Sequence, residues 1–202
     1  MKKFVLIAVF FYIIAGGAAA QQITTSQFEG YWILNYNGEE IPEIVFFGNV
    51  MMIGITHGED VLYIGSSFTH ANQVINFADE LDMPYRLSGA VLTLNIEGDE
   101  FQYIRATGIN SPLEGIWEVK GGAGFSFDDT THFLFTNDIM AIGHHESNDY
   151  GGYFGYKIRF VGNTINPLYQ EFEELTFNYR LSGGSLSLIS NENDFWELVK
   201  IY

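Results

Sequence analysis

Two stretches of the chain decide its fold: Phe28-Glu29-Gly30-Tyr31-Trp32 and Leu113-Glu114-Gly115-Ile116-Trp117. Both read apolar-Glu-Gly-x-Trp, and each opens a long run of similar pattern. Ser26, Glu29, Gly30 and Trp32 match Ser111, Glu114, Gly115 and Trp117. Phe47, Asn49, Met52 and His57 match Phe135, Asn137, Met140 and His145. Tyr63 and Gly65 match Tyr153 and Gly155, and Ile75-Asn76 matches Ile165-Asn166. Tyr85-Arg86-Leu87-Ser88-Gly89 recurs unchanged as Tyr179-Arg180-Leu181-Ser182-Gly183. The separation grows from 85 to 94 residues along the chain, so insertions fall between matched blocks, where loops belong. The chain is an internal duplication.

Each copy reads as short strands. Helical periodicity is absent after the leader, and runs rich in Val, Ile, Phe and Tyr alternate with turn residues. In the first copy the runs are 31–36, 43–47, 50–56, 61–69, 73–77, 84–87, 91–96 and 101–105. Asn37-Gly38, Gly48-Asn49, Ala71-Asn72, Ser88-Gly89 and Gly98-Asp99 are among the breaks. Such residues tolerate the positive φ that tight hairpins require. Phe154, Tyr156, Ile158 and Phe160 share one parity; Tyr153, Gly155, Lys157 and Arg159 share the more polar other one. Eight sequence-adjacent antiparallel strands close into an up-and-down barrel, which removes exposed edges. The expectation is an all-β protein of two tandem eight-stranded barrels, spanning 21–108 and 109–202, with the boundary in Thr107–Pro112 near Ile109-Asn110. Two alternatives remain open: one large barrel built from both copies, and a membrane-spanning barrel. The latter needs strands of roughly 9–11 residues, and most runs here are shorter.

Met1-Lys2-Lys3, an apolar run from Phe4 to Ile14 and the small residues Ala15–Ala20 have the layout of a secretory signal peptide, with cleavage expected after Ala20. The expectation is export to the periplasm or the extracellular space, with no stable membrane span after cleavage. The chain contains no cysteine, which excludes disulfides, thiolate catalysis and Cys-based metal sites. Its formal charge of −16, which loss of Lys2 and Lys3 would take to −18, disfavours nucleic acid and anionic membrane surfaces as partners. The acidity is that of a soluble protein, and 16% aromatic residues supply its core.

The paired Gly-x-Trp strands, each opening an eight-strand meander, resemble the lipocalin or calycin group, and more closely the small lipocalin-like domains of secreted bacterial proteins. The endings Phe101-Gln102-Tyr103-Ile104-Arg105 and Trp196-Glu197-Leu198-Val199-Lys200 extend the likeness. The resemblance implies that Trp32 and Trp117 close the barrel floors and that Arg105 and Lys200 pack over them, a pairing that cation–π attraction favours. It also raises binding of a small apolar ligand in a barrel lumen. Each repeat is about half the size of a typical lipocalin and lacks the final helix and disulfides of that group.

The lumen candidates come from the fourth strand of each copy. They are Ser66, Phe68 and His70, following Ile64, and Tyr156, Ile158 and Phe160, following Phe154. A small apolar pocket with a polar handle is one reading; an interior filled by its own side chains is the other. The partner is accordingly a small hydrophobic ligand or another protein. Chemistry is poorly represented. His144-His145-Glu146 with Asp149 superficially resembles a metal cluster, yet neighbours on a strand point to opposite faces. His57 and His145 fall where strands enter turns, and Asp128-Asp129 with Glu171, Glu173 and Glu174 lack calcium-loop spacing. Gly121-Gly122-Ala123-Gly124 precedes Phe125-Ser126-Phe127 rather than a helix. There is no Gly-x-Ser-x-Gly and no P-loop. The expectation is a protein without catalytic residues, metal or cofactor.

Overall fold

The computed structural model describes residues 27–34, 43–57, 60–78, 80–106, 111–123, 131–146, 149–169 and 175–202. The expected leader and the boundary at Ile109-Asn110 lie outside the described residues. The described chain forms strands β1 (Gly30–Leu34), β2 (Ile44–Phe47), β3 (Val50–His57), β4 (Asp60–Ala71), β5 (Val74–Phe77), β6 (Leu81–Ser88), β7 (Val91–Ile96) and β8 (Asp99–Arg105). The second copy gives β9 (Gly115–Ala123), β10 (Thr131–Thr136), β11 (Ile139–Glu146), β12 (Asp149–Val161), β13 (Thr164–Pro167), β14 (Phe177–Ser182), β15 (Ser185–Ser190) and β16 (Phe195–Lys200). Each apolar run of the first copy overlaps a strand, residues 35 and 36 of the first run lying outside the described residues. Several turns place residues that tolerate a left-handed backbone at positive φ, as at Asn72 (φ 52°), Gly89 (φ 60°) and Asn137 (φ 52°).

Strands β9–β16 form a closed antiparallel barrel. Each pairs with its chain neighbours, and β16 returns to β9, with Lys200 opposite Trp117. The other eight strands do not stand apart as a separate barrel. Tyr153–Tyr156 of β12 pair antiparallel with Gly65–Leu62 of β4, so the 16 described strands form one sheet. Two tandem independent barrels were the sequence expectation, and this ladder corrects it. The reason lies in strand length. β4 has 12 residues and β12 has 13, whereas the next strands in the chain, β5 and β13, have only four each. Phe68–Ala71 pair with β5, and Ile158–Val161 pair with β13. On the same edge, the N-terminal part of each long strand would present unpaired backbone, and the two parts satisfy one another.

The seam is pseudo-symmetric. Ile64 lies opposite its own repeat equivalent Phe154, Tyr63 lies opposite Gly155, and Tyr153 opposite Gly65. The repeated Tyr-x-Gly therefore crosses itself about a local two-fold axis.

Three cores follow. Trp117, Phe133, Phe135, Met140, Tyr156, Ile158, Phe177 and Trp196 belong to the core inside the closed barrel. Phe28, Trp32, Phe46, Met51, Phe68, Ile75, Leu92, Leu94 and Tyr103 belong to that of the first eight strands. The third core lies between the halves, with Val45, Phe47, Val50, Met52 and Tyr63 meeting Ile116, Leu134, Ile139, Ala141 and Tyr153. It needs strands buried on both faces. All four residues of β2 and all six of β10 are buried. Tyr202 reinforces it from the second half, its ring edge-on to Phe47 at 5.2 Å.

Register also corrects the repeat alignment in one block. Gly30 opposes Phe46 as Gly115 opposes Phe135, and Met51 opposes Phe46 as Met140 opposes Phe135. The equivalents are thus Phe46/Phe135 and Met51/Met140, one residue away from the sequence match at Phe47 and Met52. A one-residue slip exchanges the faces of a strand. Here both faces are apolar, so side-chain type alone did not resolve it.

Candidate functional site

Every position of Glu-Gly-x-Trp has a structural task. Phe28 and Leu113 are fully buried, and their carbonyls accept the indole N–H of Trp32 and Trp117, each at 2.7 Å. The Glu29 carboxylate accepts the Gly48 amide at 3.1 and 3.3 Å, tying the first strand to the β2–β3 turn. Glu114 does the same at the β10–β11 turn, accepting the Asn137 amide at 3.2 Å and the Thr136 hydroxyl at 2.8 Å. Gly30 and Gly115 take φ of 128° and 145°, a region open to glycine. The Arg105 guanidinium stands 4.6 Å from the Trp32 ring centre and donates to the Gln27 carbonyl at 2.7 Å. The Lys200 ammonium stands 5.8 Å from the Trp117 ring. These corners anchor the first strand of each copy to the last.

The lumen candidates are dispersed rather than gathered. Phe68 belongs to the core of the first half; Tyr156 and Ile158 belong to the core of the closed barrel. Ser66 is half-buried. His70 is exposed, with its ring 5.1 Å from Phe28, and Phe160 is half-buried against Tyr179 at 5.9 Å. Phe154, expected to face inward, is 42% exposed at the seam. Tyr153, on the parity read as outward, is buried in the third core.

That core carries the most concentrated polar chemistry at the junction. The Tyr63 hydroxyl donates to Glu43 at 2.6 Å. Lys157, from the second half, reaches the same carboxylate at 3.2 Å and the Tyr31 hydroxyl at 3.4 Å. Its ammonium also lies 5.9 Å from the Tyr31 ring. Tyr63 reaches Glu43 by lying across Gly54, where an added Cβ would meet its ring at 3.0 Å; Tyr153 lies across Gly143 in the same way, at 2.7 Å. Burial and the Glu43 carboxylate push the Tyr31 and Tyr63 phenols far above their ordinary range, so they remain protonated donors. For Glu43, burial opposes charge, but hydrogen bonds from Tyr31 and Tyr63 and the Lys157 ammonium outweigh it. Its carboxyl sits below the usual range.

Sequence reasoning missed this cluster because its four members are distant in the chain, and the motifs that contain Tyr31 and Tyr63 do not include Glu43 or Lys157. Lys157 was legible only as a cation on a strand face taken to be outward. Among the described residues no group of three or more His, Asp or Glu is placed to hold a metal ion. The side chains of His57, His145, Glu146 and Asp149, and residues Asp128, Asp129, Glu171, Glu173 and Glu174, lie outside that description. No described helix is long and apolar enough to cross a membrane.

No family model matches the chain, and no curated protein matches it.

Proposed function

We propose that the protein is an exported, non-enzymatic module in which two small lipocalin-like barrels are fused along one seam, and that it works through its outer surface as a structural or protein-interaction element. The ring of pairings β1 through β8, with Trp32 opposite Arg105 and Phe68 opposite Phe77, supports reading the first half as the second barrel. The observation carrying the functional reading is the state of the interiors. Phe68, Tyr156 and Ile158, the side chains that would line a lumen, are buried at 4%, 1% and 2% exposure among their own aromatic and aliphatic neighbours. A ligand site of the usual kind is a cleft of about 300–1,000 Å3 bordered by side chains still open to solvent or ligand. Side chains packed on one another serve stability instead. The charge of −16 favours a basic or neutral protein surface as the partner over nucleic acid or anionic lipid. The leader-like segment supports an exported location.

Native mass spectrometry of the protein purified from its own host tests this. The expected mass is that of the mature polypeptide without a small molecule. A retained apolar ligand in stoichiometric amount would overturn the filled-interior reading and make the protein a lumen carrier.

A further inference from the structure

The Glu43–Lys157 pair joins the two copies across the seam, at positions where they differ in charge. The ion pairs Arg86–Glu100 and Lys120–Glu118 each lie within one half, whereas Lys157–Glu43 crosses between them. Register places the repeat equivalents of Tyr31, Glu43, Tyr63 and Lys157 at Ile116, His132, Tyr153 and Ser67. The second half closes into a barrel with Ile116, His132 and Tyr153 at three of these positions, so barrel formation does not require the Glu43 carboxylate or its pairing with Lys157. Their distinct effect is at the junction.

We propose that Glu43 and Lys157, braced by Tyr31 and Tyr63, form a latch that holds the two halves together near neutral pH and releases the β4–β12 seam in acid. The groups facing Glu43 come from three strands: Tyr31 on β1, Tyr63 on β4 and Lys157 on β12. Asp138, in the β10–β11 turn, adds negative field at Tyr31. From β3 the Gly54 amide donates to the Glu43 backbone carbonyl at 2.7 Å, so the residue is held in place independently of its side chain. The Glu43 and Lys157 side chains are only 24% and 27% exposed. Protonating Glu43 removes the counter-charge of Lys157 and leaves a cation at the edge of an apolar core, an arrangement that costs far more than an exposed broken pair. The folded carboxyl is depressed below its unfolded value, so the contribution is fully present above the ordinary carboxylate range. It is lost as pH falls through the folded value.

The four-residue ladder of the seam is the natural place for this loss to appear, since its strands keep their own-half partners β3 and β11 when it opens. Hydrogen exchange of the full chain, read as protection factors, tests the latch. The ratio of protection at residues 62–65 and 153–156 to that of the β15–β16 ladder is compared at pH 6 and pH 3.5. The expected result is a several-fold fall, up to about tenfold, since between the open-state and the folded carboxyl values each pH unit shifts the balance by up to a factor of ten and the loss levels off below the folded value. Glu43→Gln, which keeps shape and removes charge, is expected to show the lowered ratio already at pH 6 and little further change in acid. Lys157→Arg is expected to preserve the wild-type response. An unchanged wild-type ratio, or an equal acid drop in Glu43→Gln, would overturn the proposal. The wild-type comparison stands even if a variant does not fold.

Discussion

Replacing Trp32 separates the terms that hold the first corner. The side chain is fully buried, donates to the Phe28 carbonyl at 2.7 Å and lies under Arg105 at 4.6 Å. Trp32→Phe keeps most of the apolar volume but removes the donor, leaving the Phe28 carbonyl without it; the expected cost is about 1–3 kcal/mol. Trp32→Ala removes the ring as well, and large-to-small changes of this kind cost about 3–5 kcal/mol. For a chain of this size each kcal/mol moves the melting temperature by about 2–4 °C. The alanine variant should therefore melt roughly 6–20 °C lower. Region-resolved amide exchange then locates the damage. Protection should fall most on β1 and β8, less in β2 and β10, which share the third core, and least on β15–β16. The neighbour Tyr31 packs against that core while Trp32 faces its own, so the two halves are coupled through the intervening layer and not through the tryptophan. Equal loss on β8 and β16 would refute the assignment of separate cores. Destabilisation below about 1 kcal/mol would refute the role of the corner.

Glu29→Ala and Glu114→Ala should each destabilise the chain in urea titrations, because each carboxylate ties the first strand of its copy to the following hairpin turn; each charged acceptor bond is worth about 1.5–3 kcal/mol. Arg105→Ala should lower the melting temperature more than Lys200→Ala, since Arg105 lies closer to its ring and also binds the Gln27 carbonyl, with about 0.5–1 kcal/mol expected from the ring contact at an exposed site. Gly143→Val should disturb the second half and the seam together, measured as loss of protection at 153–156, because a Cβ there would meet the Tyr153 ring at 2.7 Å.

The sequence alone determined what depends on near neighbours. Period-two alternation and turn residues placed the strands, since a strand and its hairpin are specified by adjacent side chains and local φ. The duplicated Glu-Gly-x-Trp also marked where each copy begins, because glutamate, glycine and tryptophan all serve the same local corner. The continuous apolar stretches Ile44–Phe47 and Phe133–Phe135 carried a further legible signal, that of strands buried on both faces. The tertiary structure decided the rest. Tyr63 and Gly65 repeat as Tyr153 and Gly155, yet a repeat cannot state whether equivalent residues lie far apart or oppose one another; only the β4–β12 ladder places them face to face. Lys157 meets Glu43 for the same reason, across 114 residues of chain. Such contacts are set by which long strands have edge left to pair, a property of the assembled sheet and of no single segment.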